Sequence, residues 1–193
     1  TGGTSYYNIA VGTKAAPGGT LILENITATA GNDGSSMIDN WGTLTIQSGN
    51  YTDGLNVVKS EEGSKLTING GTFTLDYAIK WKFNAAILVY GETLITDGTF
   101  INNAKVASAY PQVVMTGVVD GYTAITRITG GTFTNNFNGT NSGIFRALGK
   151  ATSDNFEVSG GTFNKKVSSG YFAAGYGCVK ENGSYVTKSA VTG

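Results

Sequence analysis

Lys65–Thr74 reads KLTINGGTFT. Leu66 and Ile68 alternate with Lys65, Thr67 and Asn69, a two-glycine bend follows, and Thr72-Phe73-Thr74 resumes the alternation. The same local pattern returns as TLTIQSGNYT at 43–52, TLITDGTFI at 93–101, AITRITGGTFT at 124–134 and NFEVSGGTFN at 155–164. Aligned on the ring they carry, the copies place Tyr51, Phe73, Phe100, Phe133 and Phe163 at spacings of 22, 27, 33 and 30 residues. A period in this range marks a solenoid or array, whose units bury their apolar faces only against their neighbours. Apolar positions within each unit alternate with period two, so the units are strands and not helices.

A further apolar piece lies between successive rings: Met37-Ile38, Val57-Val58, Ile87-Leu88-Val89, Val113-Val114-Met115 and Ile144-Phe145. Each runs on to a glycine, where the backbone can turn with positive φ. Three strand-like pieces per repeat predict an all-β chain, a right-handed parallel β-helix of about six turns. Equivalent side chains would then stack in columns: Leu44, Leu66 and Phe156; Ile46, Ile68, Ile95, Ile128 and Val158; and the five rings. Residues 20–30, TLILENITATA, form a degenerate copy that starts the regular stack, which runs over 20–166. Residues 1–19 are expected to form an N-terminal strand and cap. Residues 167–193 are expected to form a capping hairpin and tail, turning at Asn182-Gly183 between Val179 and Tyr185-Val186.

The chain has 193 residues, with 13 basic and 13 acidic side chains and no net charge. It has no basic run, which points away from nucleic acid and anionic lipid as partners. No apolar run is long enough for membrane insertion. Histidine is missing and Cys178 is the sole cysteine, closing the Ser/His/Asp route, thiolate metal sites and an internal disulfide. No metal or other cofactor is expected. The chain opens on Thr1 and stops at Gly193, as expected of an excised or processed segment.

LTINGGTF with its copies, and the ending GGTFNKKVSSGYFAAGYGCVKENGSYVTK, resemble the repeat-rich pectin-lyase-like β-helix segments of surface proteins from gut Gram-positive bacteria and their phages. The resemblance spans roughly 20–187 and implies an extracellular place on a bacterial surface or, alternatively, a virion. It implies a structural and adhesive role, with a glycan or cell-surface polysaccharide as partner, or self-association in a fibre. Segments of this kind also occur in sugar-processing enzymes, so a polysaccharide lyase or glycoside hydrolase is the alternative.

Glycoside hydrolysis requires two carboxylates facing one another across a cleft. The candidates on strands and bends are Asp39, Asp53, Asp76 and Asp97. Asp53 and Asp76 come closest to a pair, two and three residues after Tyr51 and Phe73, but turn capping explains them as well. A lyase of the resembling class would use an acidic cluster holding calcium and a basic proton acceptor. The arginines are Arg127 and Arg146, and Glu61-Glu62 reads as an isolated pair beside Lys59 and Lys65. Nothing here marks a catalytic residue. Sugar binding is easier to support, through rings at strand ends and in insertions: Trp41, Tyr77, Trp81, Tyr90, Tyr110 and Tyr122. Trp41 and Tyr90 each precede a glycine that ends the third strand, which predicts one shared outer edge. Lys80-Trp81-Lys82, alternating charge and ring, is the most ligand-like triplet, although a loop staple explains it too.

Overall fold

The computed structural model describes residues 7–31, 34–78, 83–104, 111–139 and 142–189. Strands follow one another in triplets. The first holds β1 (Ile9–Val11), β2 (Thr20–Leu23) and β3 (Ile26–Thr29); the second β4 (Ile38–Asn40), β5 (Thr43–Ile46) and β6 (Gly49–Thr52). Then come β7 (Asn56–Ser60), β8 (Lys65–Ile68) and β9 (Thr72–Leu75), followed by β10 (Ala85–Val89), β11 (Glu92–Ile95) and β12 (Thr99–Asn102). Next are β13 (Gln112–Val118), β14 (Ile125–Ile128) and β15 (Thr132–Asn135), then β16 (Phe145–Gly149), β17 (Phe156–Val158) and β18 (Thr162–Phe163). The described chain ends with β19 (Tyr176–Glu181) and β20 (Ser184–Ser189).

Every third strand pairs, and the pairing is parallel. One sheet runs β1-β4-β7-β10-β13-β16, a second β2-β5-β8-β11-β14-β17, and a third β3-β6-β9-β12-β15-β18, to which β20 and then β19 add in antiparallel fashion. This wiring is consistent with a β-solenoid, and the nearly all-β content follows from the period-two patterning. The second apolar pieces of the repeats form the first sheet. β1 is the edge strand of that sheet, in register with β4 from Ile9↔Ile38 to Val11↔Asn40.

The ring column is continuous. Tyr51 and Phe73 stack at 5.1 Å between centroids, Phe73 and Phe100 at 5.1 Å, Phe100 and Phe133 at 4.8 Å, and Phe133 and Phe163 at 5.5 Å. Those distances match the separation of neighbouring strands, about 4.8 Å, so backbone pairing sets the stacking. Each pair contributes on the order of 0.5–1.5 kcal/mol beyond its buried area. The second glycine of each bend, at 49, 71, 98, 131 and 161, has φ between +99° and +127°, a region side chains rarely adopt. That geometry explains why this position is glycine in all five copies, while the one before it also accepts Ser48 and Asp97.

The leucine column differs in its middle. Leu44 and Leu66 continue through Thr93 and Thr126 to Phe156. Both threonines are buried, and the hydroxyl of Thr126 lies 2.7 Å from that of Thr116. Hence Leu94, between Thr93 and the inward Ile95, faces outward. Polar residues also enter the interior at the end of the third sheet. Asn102 donates to Asn135 Oδ1 at 2.8 Å, and Asn135 donates to the Gly143 carbonyl at 2.7 Å.

Candidate functional site

The outer face of the first sheet holds a broad concavity. Side chains that point away from the interior stack there in two rows. Register places Ala10, Asp39, Lys59, Leu88, Met115 and Arg146 in one row. The second begins one step past β4 with Trp41 and proceeds through Glu61 and Tyr90, whose backbone N–H groups donate to Val11, Asn40 and Ser60 respectively. Towards β13 and β16 the face carries an apolar cluster, in which Leu88, Met115 and Leu148 pack together with Tyr90 against them, and the row ends at Arg146. Tyr90 is seated by Gly117, where a Cβ would come within 2.4 Å of its ring. Towards β4 and β7 the face is charged and open. It forms a groove of about 730 Å³ lined by Tyr7, Asp39, Trp41, Lys59, Glu61 and Tyr90, with Lys14 and Glu62 on its rim.

The floor is a network of charges with little access to water. Asp39 is 3% exposed and Glu61 4%. Asp39 Oδ2 accepts from the indole N–H of Trp41 at 2.8 Å, whereas its Oδ1 is buried with no donor. Lys59 Nζ donates to Glu61 Oε1 and lies 5.8 Å from the centre of the Tyr90 ring. Lys14 reaches towards both Glu62, at 3.8 Å, and the face of Trp41, at 5.9 Å. Burial pushes the carboxyls of Asp39 and Glu61 above the usual carboxylate range, against the pull of Lys59 on both. For Lys59 burial disfavours the charge, but the hydrogen bond and field of Glu61, with Asp39 beyond it, outweigh that and raise its pKa. Each carboxyl of the floor therefore holds a proton more readily than an exposed carboxylate does.

This carries a consequence for stability. Carboxyls that bind protons more tightly folded than unfolded make stability fall as pH rises from the ordinary carboxylate range through their raised native values. Moving from neutral pH to about pH 5 is therefore expected to raise the melting temperature. The double variant Asp39→Asn, Glu61→Gln should flatten that slope, as measured by calorimetry across the same pH series.

Two shallower hollows continue the groove along the strand direction. One, about 290 Å³, shares Tyr7, Lys59 and Tyr90 with it and extends past Leu55 to Phe83. The other, about 310 Å³, shares Lys14, Trp41 and Glu62 and extends to Gly63 and Tyr122. The three form one trough with ring side chains along its length. Phe83 and Tyr122 are exposed at its two ends.

Of the residues singled out from sequence, the fold brings Trp41 and Tyr90 together on one groove, on strands separated by β7. Tyr122 joins them at one end. Tyr77 is exposed after β9, its backbone N–H donating to Asp53 Oδ1 at 3.1 Å, and it is not part of the trough. Lys80, Trp81, Lys82 and Tyr110 lie outside the described residues. Asp53 also accepts from the Asp76 N–H at 2.7 Å, and Asp76 accepts from Asn103, which in turn accepts from Asn136. That polar ladder holds a corner of the coil. Asp97 accepts from the N–H of Gly98 next to it. Asp39 alone of the four aspartates lies in the groove.

Sequence reasoning missed Lys59, Glu61, Tyr7, Lys14 and Glu62 as groove residues. Aligning repeats on the glycine after the strand pairs Trp41 with Glu62. Aligning on the upstream pieces Ile38-Asp39-Asn40 and Val58-Lys59-Ser60 pairs it with Glu61, the register observed. The one extra residue before Gly63, Glu62, hid that match. Among the described residues no three His, Cys, Asp or Glu side chains converge as a metal set. No family model, curated protein or solved structure matches this chain.

Proposed function

We propose that the chain is a structural and adhesive segment of an extracellular protein, from a bacterial surface or a virion fibre, and that it contacts glycans through the trough. In this reading the strands coil as a right-handed β-helix of about six turns, of the pectin-lyase-like kind the repeats resemble. The β19–β20 hairpin covers the end of the third sheet, where an open edge would otherwise template pairing with another chain.

The observation that carries the glycan reading is the trough itself: ring side chains at successive stations on a rigid sheet, with buried charged groups between them. Such rings offer an apolar face to sugar C–H groups, while the polar groups fix orientation. Trp41 is the best placed, because its bond to Asp39 holds the indole in one orientation. Titration with an oligosaccharide panel tests this. Trp41→Ala is expected to weaken binding to any oligomer the protein takes by about tenfold, a loss of about 1.4 kcal/mol. Unchanged affinity would remove the trough from the function.

One observation favours a second reading, a carbohydrate-active enzyme. Asp39 and Glu61 are two carboxyls in one groove, both raised by burial, and a carboxyl kept protonated near neutral pH is the general-acid half of what glycosidic hydrolysis requires. New reducing ends or unsaturated products that disappear in Glu61→Gln would favour the enzyme; binding without product favours the adhesive segment.

A further inference from the structure

We propose that the trough is selective for a saccharide carrying a free amino group, such as an oligomer of unsubstituted hexosamine, over uronate or sulfated glycans. This rests on the glycan-binding reading and adds the class of ligand.

The argument starts from charge. The described residues lining the central groove bring three carboxylates, Asp39, Glu61 and Glu62, against two ammonium groups, Lys14 and Lys59. Both ammonium groups are already engaged, Lys59 by Glu61 and Lys14 by Glu62. No guanidinium lines the groove. Among the described residues of the groove, an anionic sugar would meet an excess of negative charge and would have to break an existing ion pair to find a cation. Neither cost applies to an ammonium.

Asp39 supplies the positive half of the argument. Its Oδ1 is buried in the groove without a donor, a costly arrangement and more so for a charged group. A donor entering from the ligand relieves that cost. A sugar hydroxyl can do so, but a protonated amine forms the stronger, charge-assisted bond. The surrounding rings act in the same direction, since Trp41, Tyr90 and Tyr7 all line the groove around this carboxylate. A cation set between ring faces is attracted to them, more so where water is excluded. Two ammonium groups of the chain already take up this geometry, Lys14 over Trp41 and Lys59 over Tyr90.

The test is calorimetric titration of the intact chain, at mildly acidic pH, with three oligomers of matched length: glucosamine, N-acetylglucosamine and galacturonate. The amino oligomer is expected to bind at least about tenfold more tightly than its acetylated counterpart, with galacturonate weaker than both. Asp39→Asn, close in shape and checked for an unchanged circular dichroism spectrum, is expected to abolish the preference for the amino oligomer, and a preference that survives the change overturns the inference. Equal or tighter binding of the acetylated or anionic oligomer by the wild-type chain overturns the inference but leaves the glycan reading in place. Failure of all three to bind overturns both. The wild-type ranking decides the matter even if Asp39→Asn does not fold.

Discussion

Phe100→Ala is expected to lower the unfolding free energy by about 3–5 kcal/mol. The ring is fully buried and held face to face between Phe73 at 5.1 Å and Phe133 at 4.8 Å. Two stacking contacts disappear with it, as does its buried area. The neighbouring rings cannot close the gap, because each is fixed to a strand whose separation is set by backbone hydrogen bonds. The lost transfer energy and an unfilled cavity therefore add together. Chemical denaturation measures this directly. Ile22→Ala, on the second sheet where Ile22 is 61% exposed, should change stability by no more than about 0.5 kcal/mol. A loss below about 1 kcal/mol for Phe100→Ala would mean the column is not enclosed.

Asn135→Ala is expected to cost about 3 kcal/mol or more, although the side chain is polar. Asn135 has no exposed surface. Its amide donates to the carbonyls of Gly143 at 2.7 Å and Pro111 at 3.3 Å, and its oxygen accepts from Asn102 at 2.8 Å and from the Phe137 N–H at 3.0 Å. Truncation strands several of these groups away from water, at about 1–3 kcal/mol for each one that finds no other partner. Asn136, one residue on, is the matched comparison: it is exposed and donates to Asn103 at 2.7 Å. Asn136→Ala should cost about 1 kcal/mol or less, since water replaces its partner. Equal losses at the two positions would contradict the burial difference between them.

The architecture was legible because its main determinant repeats. A ring at the same place in five segments, each preceded by alternating aliphatics and a glycine of positive φ, leaves parallel stacking as the arrangement that buries them all. The sequence reading left a gap in the leucine column between Leu66 and Phe156. Thr93 and Thr126 fill it, because the Ile95↔Ile68 register turns Thr93 inward and Leu94 outward. The buried asparagines were invisible for a similar reason, because their partners are carbonyls of connections that a repeat alignment does not cover. At the groove, the rings of Trp41 and Tyr90 stood out by their position before a glycine. Glu61 did not, since one additional residue, Glu62, ahead of Gly63 shifts it out of line. Proximity between Asp39 and Glu61 depends on strand pairing, which composition and local motif do not encode.

The connections differ sharply from corner to corner. Between the second and third sheets they are always two or three residues, as at 47–48, 69–71 and 129–131, whereas between the third sheet and the first they run from three residues at 53–55 to nine at 76–84 and 136–144. One corner thus keeps the pitch and the other tolerates cargo. Foreign segments spliced at the tolerant corner would leave the stacked rings undisturbed, so the coil could change what it recognises without being rebuilt. Residues 76–84 lead to Phe83 at one end of the trough, which puts that freedom within reach of whatever lies in it.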